Sequence, residues 1–415
     1  MATMSYEAES VWQFSMAGSV RFGSGAAAEL PSVLEEHDCA SVMIVTDPGL
    51  RAAGVIDPVL EQLDDESVEY TVFDEVEPDP SIAVFEASVE QARADDPDAI
   101  VGVGGGSSMD VAKTTSVVAA YGGEILDYVA PPTGGGEPIP GPGLTTICLP
   151  TTAGTGSETS PVSVISLPDR DMKVGISGNE QRPDAALVDP SLTVSLPPGP
   201  TASSGIDALS HAVEAYVTRR YDAKPTPESP DERPDYGGRT IVTDQLARRA
   251  IELISGNLRN AVDNGQDLDA RRAMSLGSLL AGIAFTNAGL GLAHAMAMSA
   301  GARHHTAHGE TIGAVLPSVI RYNAPGAPDR YAEVARLMGE DTTGDGSHEA
   351  AEKAAVAVER LCNDVGIADG LSELGIEESD LDVLAENAMQ LQRLVVGNPR
   401  RTETADMMAL FEDSL

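Results

Sequence analysis

Residues 99–113 read AIVGVGGGSSMDVAK, an apolar segment of strand length that turns through three consecutive glycines into a helix start. Gly104, Gly105 and Gly106 allow the backbone to approach a phosphate closely, because glycine has no side chain. The first amide groups of the helix have no partner inside it and can donate to an anion. This strand, turn and helix therefore predict a pyrophosphate site at the end of a strand.

The match of this turn to the dinucleotide-binding pattern G-x-G-x-x-G is incomplete. Ser107 stands where the final glycine would be, and no acidic residue follows at the usual distance. Glycine-rich turns that bind nothing are common, so the turn alone leaves nucleotide binding and a structural role equally open. A second glycine-rich turn, TTAGTGSE at 151–158, follows a later strand and favours the nucleotide.

Asp47 ends an earlier apolar run and bears on the choice of nucleotide. A carboxylate there can accept hydrogen bonds from the adenosine ribose hydroxyls and repel a 2′-phosphate, which favours NAD over NADP. The alternative is a turn aspartate before Pro48 and Gly49, whose side chain serves only the turn.

Strands and helices alternate on both sides of the first glycine-rich turn. The apolar runs SVMIVTD, EYTVFDEV and LTTICLP have strand length, and helices are predicted at 26–36 and 81–94. This alternation predicts a parallel sheet with helices on both faces. The N-terminal part therefore belongs to the α/β fold class.

The character of the chain changes at residues 196–200, where LPPGP would interrupt any regular element. Strand-like runs disappear after this point, and segments rich in Ala, Leu and Met at helical spacing replace them. We therefore predict an α/β dinucleotide-binding domain at 1–196 and an all-helical metal-binding and substrate domain at 197–415.

Histidines cluster in the predicted helical domain. Asp207 and His211 are four residues apart in GIDALSHAVEA and so project from one face of a helix. A carboxylate with several imidazoles suits a divalent transition metal such as Fe, Zn, Mn or Ni. A single histidine on an apolar helix is more often a core or surface residue, but the clustering favours a metal site. Its remaining ligands are open among His294, His304, His305 and His308.

The net charge of the chain is strongly negative. It has 65 acidic and 26 basic residues, a formal charge of -39, and the acids are spread along its whole length. We interpret this as an adaptation to high salt, typical of a halophilic protein, because at about 1 M salt the screening length falls to roughly 3 Å and self-repulsion is largely removed. The same charge argues against nucleic acids and anionic membranes as partners.

The cysteines and the N-terminal sequence give information on the cellular compartment of the protein. The three cysteines lie far apart and give no disulfide framework. The start, MATMSYEAES, has no basic segment followed by an apolar core, and no apolar run approaches the roughly 18 residues of a membrane span. We therefore predict a cytoplasmic protein with no membrane segment.

Together, these motifs resemble those of the iron-containing, or group III, alcohol dehydrogenase family, which has a dehydroquinate synthase-like fold. The resemblance is carried by GVGGGSSMDVAK, LPTTAGTGSE, GIDALSHAVEAY, the AHAMA and AHG segments and NPRRTETADMM, and it covers nearly the whole chain. It implies a deep cleft between the two domains, with the cofactor on the α/β side and the metal on the helical side. It also implies a homodimer or a larger homo-oligomer.

The resemblance also assigns site residues, position by position. The implied metal ligands are Asp207, His211, His294 and His308, and His304 and His305 then become neighbours of the ligands or of the cleft. The implied cofactor contacts are Asp47, Gly104, Gly105, Gly106, Ser107, Asp110, Thr151, Thr152, Thr155, Ser157, Val162 and Lys173.

The function implied by the resemblance is that of a metal-dependent, NAD(H)-linked alcohol dehydrogenase. A divalent ion, Fe or Zn before Mn or Ni, polarises the oxygen of a small alcohol or aldehyde, and hydride passes between this substrate and the nicotinamide. NADP is the alternative cofactor. A lyase of the dehydroquinate synthase type is a less favoured alternative, because the helical domain offers only two lysines to bind a sugar phosphate.

Two departures from the family pattern affect the expected chemistry. Met298 stands where many members carry a histidine near the nicotinamide, so a proton relay at that position is lost. The loop at 219–239 ends in RPDYGGR, which resembles the hydroxyacid-oxoacid transhydrogenase branch of the family. The loop arginines that could bind a substrate carboxylate are Arg219, Arg220, Arg233 and Arg239.

Overall fold

The computed structural model describes residues 11–170, 172–224, 229 and 233–415. The strands in these ranges all lie before residue 190. They are β1 Ser19–Phe22, β2 Ser41–Val45, β3 Glu69–Phe73, β4 Ala99–Gly104, β5 Thr145–Pro150, β6 Val162–Leu167, β7 Met172–Ser177 and β8 Ala185–Val188. The α-helices between them are α1 Leu30–Glu36, α2 Pro48–Ala52, α3 Asp57–Asp65, α4 Ile82–Asp95 and α5 Gly106–Tyr121.

Six strands form one parallel sheet in the order β1, β8, β5, β4, β2, β3. β4 and β5 pair in register from Ala99 with Thr145 to Gly104 with Pro150. β4 is buried along its whole length, which explains its continuous apolar sequence, because a central parallel strand is covered on both faces. The predicted α/β fold class is confirmed.

The order of the strands creates a crevice at the carboxyl ends of β2 and β4. From β2 the chain runs to β3 on one side, whereas from β4 it runs to β5 on the other. Open α/β sheets bind ligands at such points, where successive connections leave in opposite directions. Val45 pairs with Gly102, so Asp47 lies level with Gly104 at the first glycine-rich turn.

From Pro198 onward, the described residues form helices and no regular strand. The helices are α6 Pro198–Val217, α7 Ile241–Asp263, α8 Leu268–Ala288, α9 Leu292–His304, α10 His308–Asn323, α11 Pro328–Leu337, α12 Ser347–Asp364, α13 Leu381–Gln390, α14 Gln392–Val395 and α15 Thr404–Glu412. They share one apolar core rich in alanine, whose small side chain lets helices pack closely. The helical region matches the expectation from its sequence pattern, while the division at residues 196 and 197 stays a prediction.

β6 and β7 form a separate antiparallel hairpin that the sequence pattern did not predict. The hairpin packs against α4 and α5 on one side, and β7 reaches α9 of the helical region. Ser166 on β6 donates its backbone amide to the carbonyl of Pro80, 2.9 Å away. The hairpin therefore lies beside the crevice and connects the sheet region to the helical region.

A membrane-spanning helix must be both long and apolar, so the helices of the structure can be compared with the expectation of no membrane segment. Within the described ranges, no single helix is long and apolar enough to cross a membrane. α8 and α9 together reach the required length and apolar character, but they meet at an angle of 99°. Residues of both helices lie in the shared apolar core of the helical region.

Candidate metal and cofactor site

The first two candidate ligands lie on α6. Asp207 and His211 are one helical turn apart, and both side chains are buried. The helix is buried on nearly all sides from Gly205 to Val217, because α7, α8 and α10 pack around it. Two ionisable side chains in such a helix require partners inside the protein.

The other two candidates come from helix starts that approach α6. His294 is the third residue of α9, and His308 is the first residue of α10. Gly309 lets α10 come this close, because a Cβ atom there would lie 2.0 Å from the carbonyl oxygen of Ser203 on α6. The glycine of the AHG segment therefore determines where His308 lies.

The three imidazoles surround the carboxylate of Asp207. The Nε2 atoms of His211, His294 and His308 lie 3.7, 3.5 and 3.6 Å from Oδ1 of Asp207. In a tetrahedral site with ligand distances near 2.1 Å, neighbouring ligand atoms are about 3.4 Å apart. Asp207, His211 and His294 offer ligand atoms that all lie within 4.8 Å of one another, as ligands of a single ion do, and His308 reaches Oδ1 of Asp207 from outside this group.

Glu214 orients His294 from the side away from Asp207. Its Oε2 atom accepts from Nδ1 of His294 at 2.6 Å, which leaves Nε2 facing Asp207. The same carboxylate accepts from the backbone amides of Gly291 and Ala293 at the start of α9. A carboxylate in this position fixes the ring of a metal-binding histidine and raises its basicity.

His211 is oriented by contacts from both sides of the cleft. Its Nδ1 atom lies 3.2 Å from the carbonyl oxygen of Gly154 in the second glycine-rich turn, and its ring stacks on Phe285 with centroids 4.3 Å apart. Donation from Nδ1 leaves a lone pair on Nε2. His211 therefore connects the metal candidates to the turn that is predicted to hold the cofactor.

Burial and the neighbouring carboxylates shift the pKa values of the cluster in opposite directions. Burial lowers the pKa of His211 to about 4, so this ring is neutral near pH 7. Burial also disfavours the charged form of His294, but the carboxylates of Glu214 and Asp207 outweigh it and raise the pKa to about 9. Burial raises the pKa of Asp207 as well, but the imidazoles, led by His211, outweigh it and hold the pKa below its usual range. The two carboxylates therefore stabilise positive charge at His294.

Two buried atoms in this cluster lack a hydrogen-bond partner among the described residues. They are Oδ1 of Asp207 and Nε2 of His294, and they face each other. Unpaired buried polar atoms are rare in folded proteins. A divalent ion would satisfy both atoms, and one carboxylate with three imidazoles is a donor set that Fe, Zn, Mn and Ni accept. The residues present therefore fit a metal ion.

The α/β side of the cleft is built from the two glycine-rich turns. The backbone amide of Thr151 donates to the carbonyl of Gly104 at 2.9 Å, which joins the two turns. A Cβ atom on Gly106 would lie 2.8 Å from Cγ2 of Thr155, so only glycine lets the turns pack this closely. Their backbone and hydroxyl groups form one polar wall at the start of α5, which suits a phosphate.

Lys113 connects α5 to the second glycine-rich turn, because its Nζ atom donates to the carbonyl oxygen of Ser157 at 3.3 Å. The side chain is fully buried, and its Nζ atom donates to the carbonyl oxygen of Val162 at 2.6 Å and lies 3.0 Å from Oδ1 of Asp110. Asp110 in turn accepts from Oγ of Ser157 at 2.5 Å and from the amide of Val164 at 2.9 Å. The side chains of Asp110 and Ser157 are therefore hydrogen-bonded to each other, and both residues also line the cleft.

The two walls enclose a cleft with about 1020 Å³ of empty space, including its opening to solvent. All four candidate metal ligands line it, and Met298 lines it one turn after His294. The cleft-lining residues among the expected cofactor contacts are Gly106, Ser107, Asp110, Thr155, Ser157, Val162 and Lys173.

The remaining expected cofactor contacts lie beside this cleft. Gly104, Gly105, Thr151 and Thr152 belong to the joined turns but are not among its lining residues. Asp47 caps α2, since its Oδ1 atom accepts from the amide of Leu50 at 3.0 Å. It ends the strand next to β4, where an adenosine ribose would extend from the turns. The cofactor roles of all these residues stay predictions.

His304 and His305 lie away from the cleft. The Nε2 atom of His304 is 3.4 Å from Oδ2 of Asp380, and His305 is exposed at the end of α9. Neither belongs to the cleft-lining residues of the described chain. The cleft lining of the described chain gives no support to a cleft-lining role for them, and a place beside the ligands stays a prediction.

The loop arginines are also engaged elsewhere. Arg219 donates to the carbonyl of Asn398 at 2.9 Å, Arg220 pairs with Asp222, and Arg239 pairs with Asp244. Together with Arg233, they are absent from the described lining of the cleft. The predicted recognition of a carboxylate from this loop is not supported, although residues 225–228 and 230–232 lie outside the described ranges.

Three residues of this region were not predicted from the sequence. Glu214 had a local signal, because it follows His211 by three residues and so shares its helix face. Lys113 had a weaker one, as a lysine inside an otherwise apolar helix. Arg393 on α14 lines the cleft and had no sequence signal, because its place depends on how distant helices pack.

Comparison with known proteins identifies relatives over nearly the whole chain. Residues 17–190 match the family described as iron-containing alcohol dehydrogenase, and residues 238–415 match the C-terminal family of Fe-containing alcohol dehydrogenases. The first match covers the two glycine-rich turns and the second covers His294 and His308, whereas Asp207, His211 and Glu214 lie between the two matches.

Individual relatives are similar along their full length. The NAD-dependent methanol dehydrogenase of Bacillus methanolicus is 35% identical over 393 residues, which span 95% of this chain and 97% of the relative. The mitochondrial hydroxyacid-oxoacid transhydrogenase of Pongo abelii is 33% identical over 420 residues, spanning 97% and 90%. A crystal structure of 1,3-propanediol oxidoreductase superposes with a TM-score of 0.89 at 34% identity, covering 98% of this chain and all of the other.

Proposed function

The chain belongs to the iron-containing alcohol dehydrogenase family, and from this premise we propose that it is a metal-dependent alcohol dehydrogenase that uses NAD(H). It transfers hydride between a small alcohol or aldehyde and the nicotinamide. The observation that carries the proposal is the convergence of three Nε2 atoms on Oδ1 of Asp207, at 3.5 to 3.7 Å, inside the cleft that the glycine-rich turns also border.

The metal role is proposed for Asp207, His211, His294 and His308. When bound, a divalent ion polarises the substrate oxygen, and NAD accepts the hydride. Glu214 holds the proton on Nδ1 of His294, so that Nε2 is free to bind. Apolar residues of the cleft, among them Phe285, Leu290, Met298 and Leu394, help exclude water from the reacting atoms.

The cofactor role is proposed for the two turns and for Asp47. The amides at the start of α5, with Gly106, Ser107 and Thr155, suit the pyrophosphate. Asp47 suits the ribose hydroxyls, because it ends the strand next to the first turn. Its cap on Leu50 occupies Oδ1 and leaves Oδ2 as an acceptor. The proposal therefore favours NAD over NADP.

The test is NAD⁺ reduction by protein stripped of metal and then reloaded separately with Fe²⁺, Zn²⁺, Mn²⁺ or Ni²⁺. The substrates are primary alcohols, diols and 4-hydroxybutyrate, and NADH is followed by absorbance. We expect NADH to form with at least one ion and none without an ion. NADH formation at the same rate in the stripped protein would contradict the metal role.

A transhydrogenase is the second candidate, supported by the relative of that name and by the RPDYGGR sequence. Such an enzyme would pass hydride from a hydroxy acid to a keto acid without releasing NADH. Conversion of 4-hydroxybutyrate only after a keto acid is added, with no free NADH, would favour this candidate over the dehydrogenase.

The proposal extends to the organisation and setting of the protein. We place the boundary between an α/β domain and a helical domain at residues 196 and 197, where α6 begins two residues later. A homodimer or larger homo-oligomer is proposed from the family alone. A cytoplasmic location is supported by the unpaired cysteines Cys39, Cys148 and Cys362 and by the need for NAD.

Adaptation to high salt is proposed from the formal charge of -39. We expect activity and compactness to fall below roughly 0.5 M salt, because weaker screening restores repulsion between the acidic groups. Activity and light scattering across a salt series measure this. Full activity and an unchanged radius in dilute buffer would contradict the adaptation.

A further inference from the structure

Arg393 lies on the helical wall of the cleft. It belongs to the short helix α14, which packs on α9, the helix of His294 and Met298. The next residue, Leu394, is buried and anchors α14, whereas Arg393 itself is exposed. Both residues line the same cleft as the four candidate metal ligands. Arg393 is thus held by packing while its side chain remains accessible from the cleft.

A series of ring contacts links Arg393 to the ligands. Its guanidinium carbon lies 5.6 Å from the ring centroid of Tyr236, whose ring meets that of Phe285 edge to face at 6.4 Å. Phe285 stacks on His211 at 4.3 Å. Two aromatic side chains therefore separate the guanidinium from a candidate metal ligand, and all of them border one space.

Within the part of the chain that the structure describes, Arg393 differs from the other charged groups of the cleft because it has no acidic partner. Lys173 pairs with Asp79 at 2.6 Å, and Asp110 pairs with the buried Lys113 at 3.0 Å. Asp207 faces three imidazoles. Among the described residues, no carboxylate lies within ion-pair distance of Arg393, in a chain with 65 acidic residues. The guanidinium lies over the face of Tyr236.

We propose that Arg393 is a specificity-determining residue that binds a carboxylate at the end of the substrate remote from the alcohol. The substrate class is then ω-hydroxy acids and the corresponding aldehyde acids. Arginine suits this role because its planar fork meets a carboxylate through two parallel hydrogen bonds. A local cation is also needed here, because the net charge of the protein repels an anion. This inference rests on the proposed function, since it names the substrate class of the same site.

The test compares 4-hydroxybutyrate with 1-butanol, which has the same chain length but no carboxylate. Arg393→Gln should lower kcat/KM for 4-hydroxybutyrate by about 10-fold or more, the loss expected when a charge-assisted hydrogen bond is removed. The loss should appear mainly in KM, and kcat/KM for 1-butanol should change less than about 2-fold. Arg393→Lys should restore part of the loss.

Arg401→Gln is the matched control. Arg401 is a strongly exposed arginine with one distant carboxylate partner, Glu403 at 3.7 Å, and it does not line the described cleft. Its replacement changes the net charge equally and should leave both substrates unaffected. Equal losses for the two substrates in Arg393→Gln, or no loss for 4-hydroxybutyrate, would overturn the role of Arg393 and leave the dehydrogenase function intact.

Succinate binding gives a readout that does not depend on turnover. Titration calorimetry at fixed ionic strength should detect succinate binding to the wild-type protein and to Arg401→Gln, and at least 10-fold weaker binding to Arg393→Gln. If no substrate is oxidised, the proposed function fails, and this titration still decides whether Arg393 binds a carboxylate. Absence of succinate binding to the wild-type protein, or equal binding to all three proteins, would refute the inference.

Discussion

The two walls of the cleft are built from different chemical groups. The helical wall presents side-chain atoms, with Asp207 and three imidazoles converging and Glu214 behind one of them. The α/β wall presents mainly backbone and hydroxyl groups, and at Gly106 and Gly156 the close packing leaves no room for a side chain. Function on the helical wall therefore depends on particular side chains, whereas function on the α/β wall depends on glycines whose lack of a side chain allows close packing.

This difference predicts opposite sensitivities to mutation. On the helical wall, removal of a side chain should abolish binding while the fold survives, because the neighbouring helices still pack. On the α/β wall, addition of a single methyl group should be the damaging change, because the side chain of Thr155 occupies its place at Gly106 and the backbone of α8 occupies it at Gly156. The following variants test the contrast from the largest expected effect to the smallest.

His294→Ala should cause the largest loss. The variant lacks one proposed ligand, so we expect loss of metal and a fall in kcat/KM of roughly 10³-fold or more, since metal polarisation supplies several kcal/mol. Metal content and NADH formation measure the two effects on one sample. A fully loaded and active His294→Ala protein would remove this residue from the ligand set.

Gly156→Ala should lower the free energy of unfolding, although the substitution removes no polar group. Gly156 has φ 64°, and a Cβ atom there would lie 2.5 Å from the backbone of Gly282 on α8. We expect a destabilisation of about 2 to 5 kcal/mol, from the left-handed conformation and the overpacking together. Denaturant unfolding measures this value.

Gly256→Ala is the control for added volume. Gly256 lies inside α7, and apart from its chain neighbours and the backbone of its own helix, no atom of the described residues lies within 4 Å of the place a Cβ would take. This variant should be neutral or more stable by up to about 1 kcal/mol, because alanine is the better helix former. Equal destabilisation of both variants would mean that added volume, and not the contact with α8, is responsible.

Glu214→Gln should weaken the metal site without removing a ligand. One carboxylate oxygen becomes an amide donor facing the amides of Gly291 and Ala293, so His294 loses a well-matched partner. We expect metal affinity to fall about 10- to 100-fold, as for other carboxylates behind a ligating histidine. Competition with a chelator measures the affinity, and unchanged affinity would show that Glu214 serves only the fold.

Asp47→Ala should have the smallest effect and affect only the choice of cofactor. Without the carboxylate, use of NADP relative to NAD should rise roughly 10-fold, equivalent to about 1.4 kcal/mol of charge repulsion. Asp47→Ser separates this role from the cap on Leu50, since serine also caps helices. If both variants keep the original preference, Asp47 does not contact the ribose.

Local patterns were enough to predict most of the fold. The buried strand β4 reads as a continuous apolar run, and the glycines after it mark the turn, so both features were predictable from 99–113 alone. The hairpin of β6 and β7 was not predicted. Its six-residue strands each bury only part of their length, and they lie outside the alternation of strands and helices.

The metal site could be predicted only in part from spacing. Asp207 and His211 followed from their separation on one helix, but four later histidines stayed equivalent until the resemblance singled out His294 and His308. The structure shows why spacing failed, because His304 and His308 are four residues apart but α9 ends between them. Arg393 was beyond prediction, since only the packing of α14 on α9 brings it to the cleft.

The contact between Gly156 and Gly282 also has a consequence for how the protein unfolds. A Cβ on either residue would lie within 2.8 Å of the backbone of the other, and Ala153 of the same turn belongs to the apolar core of the helical region. Neither region can open without exposing surface that the other covers. We therefore infer that the two regions form a single cooperative unit, which calorimetry would record as one thermal transition instead of two.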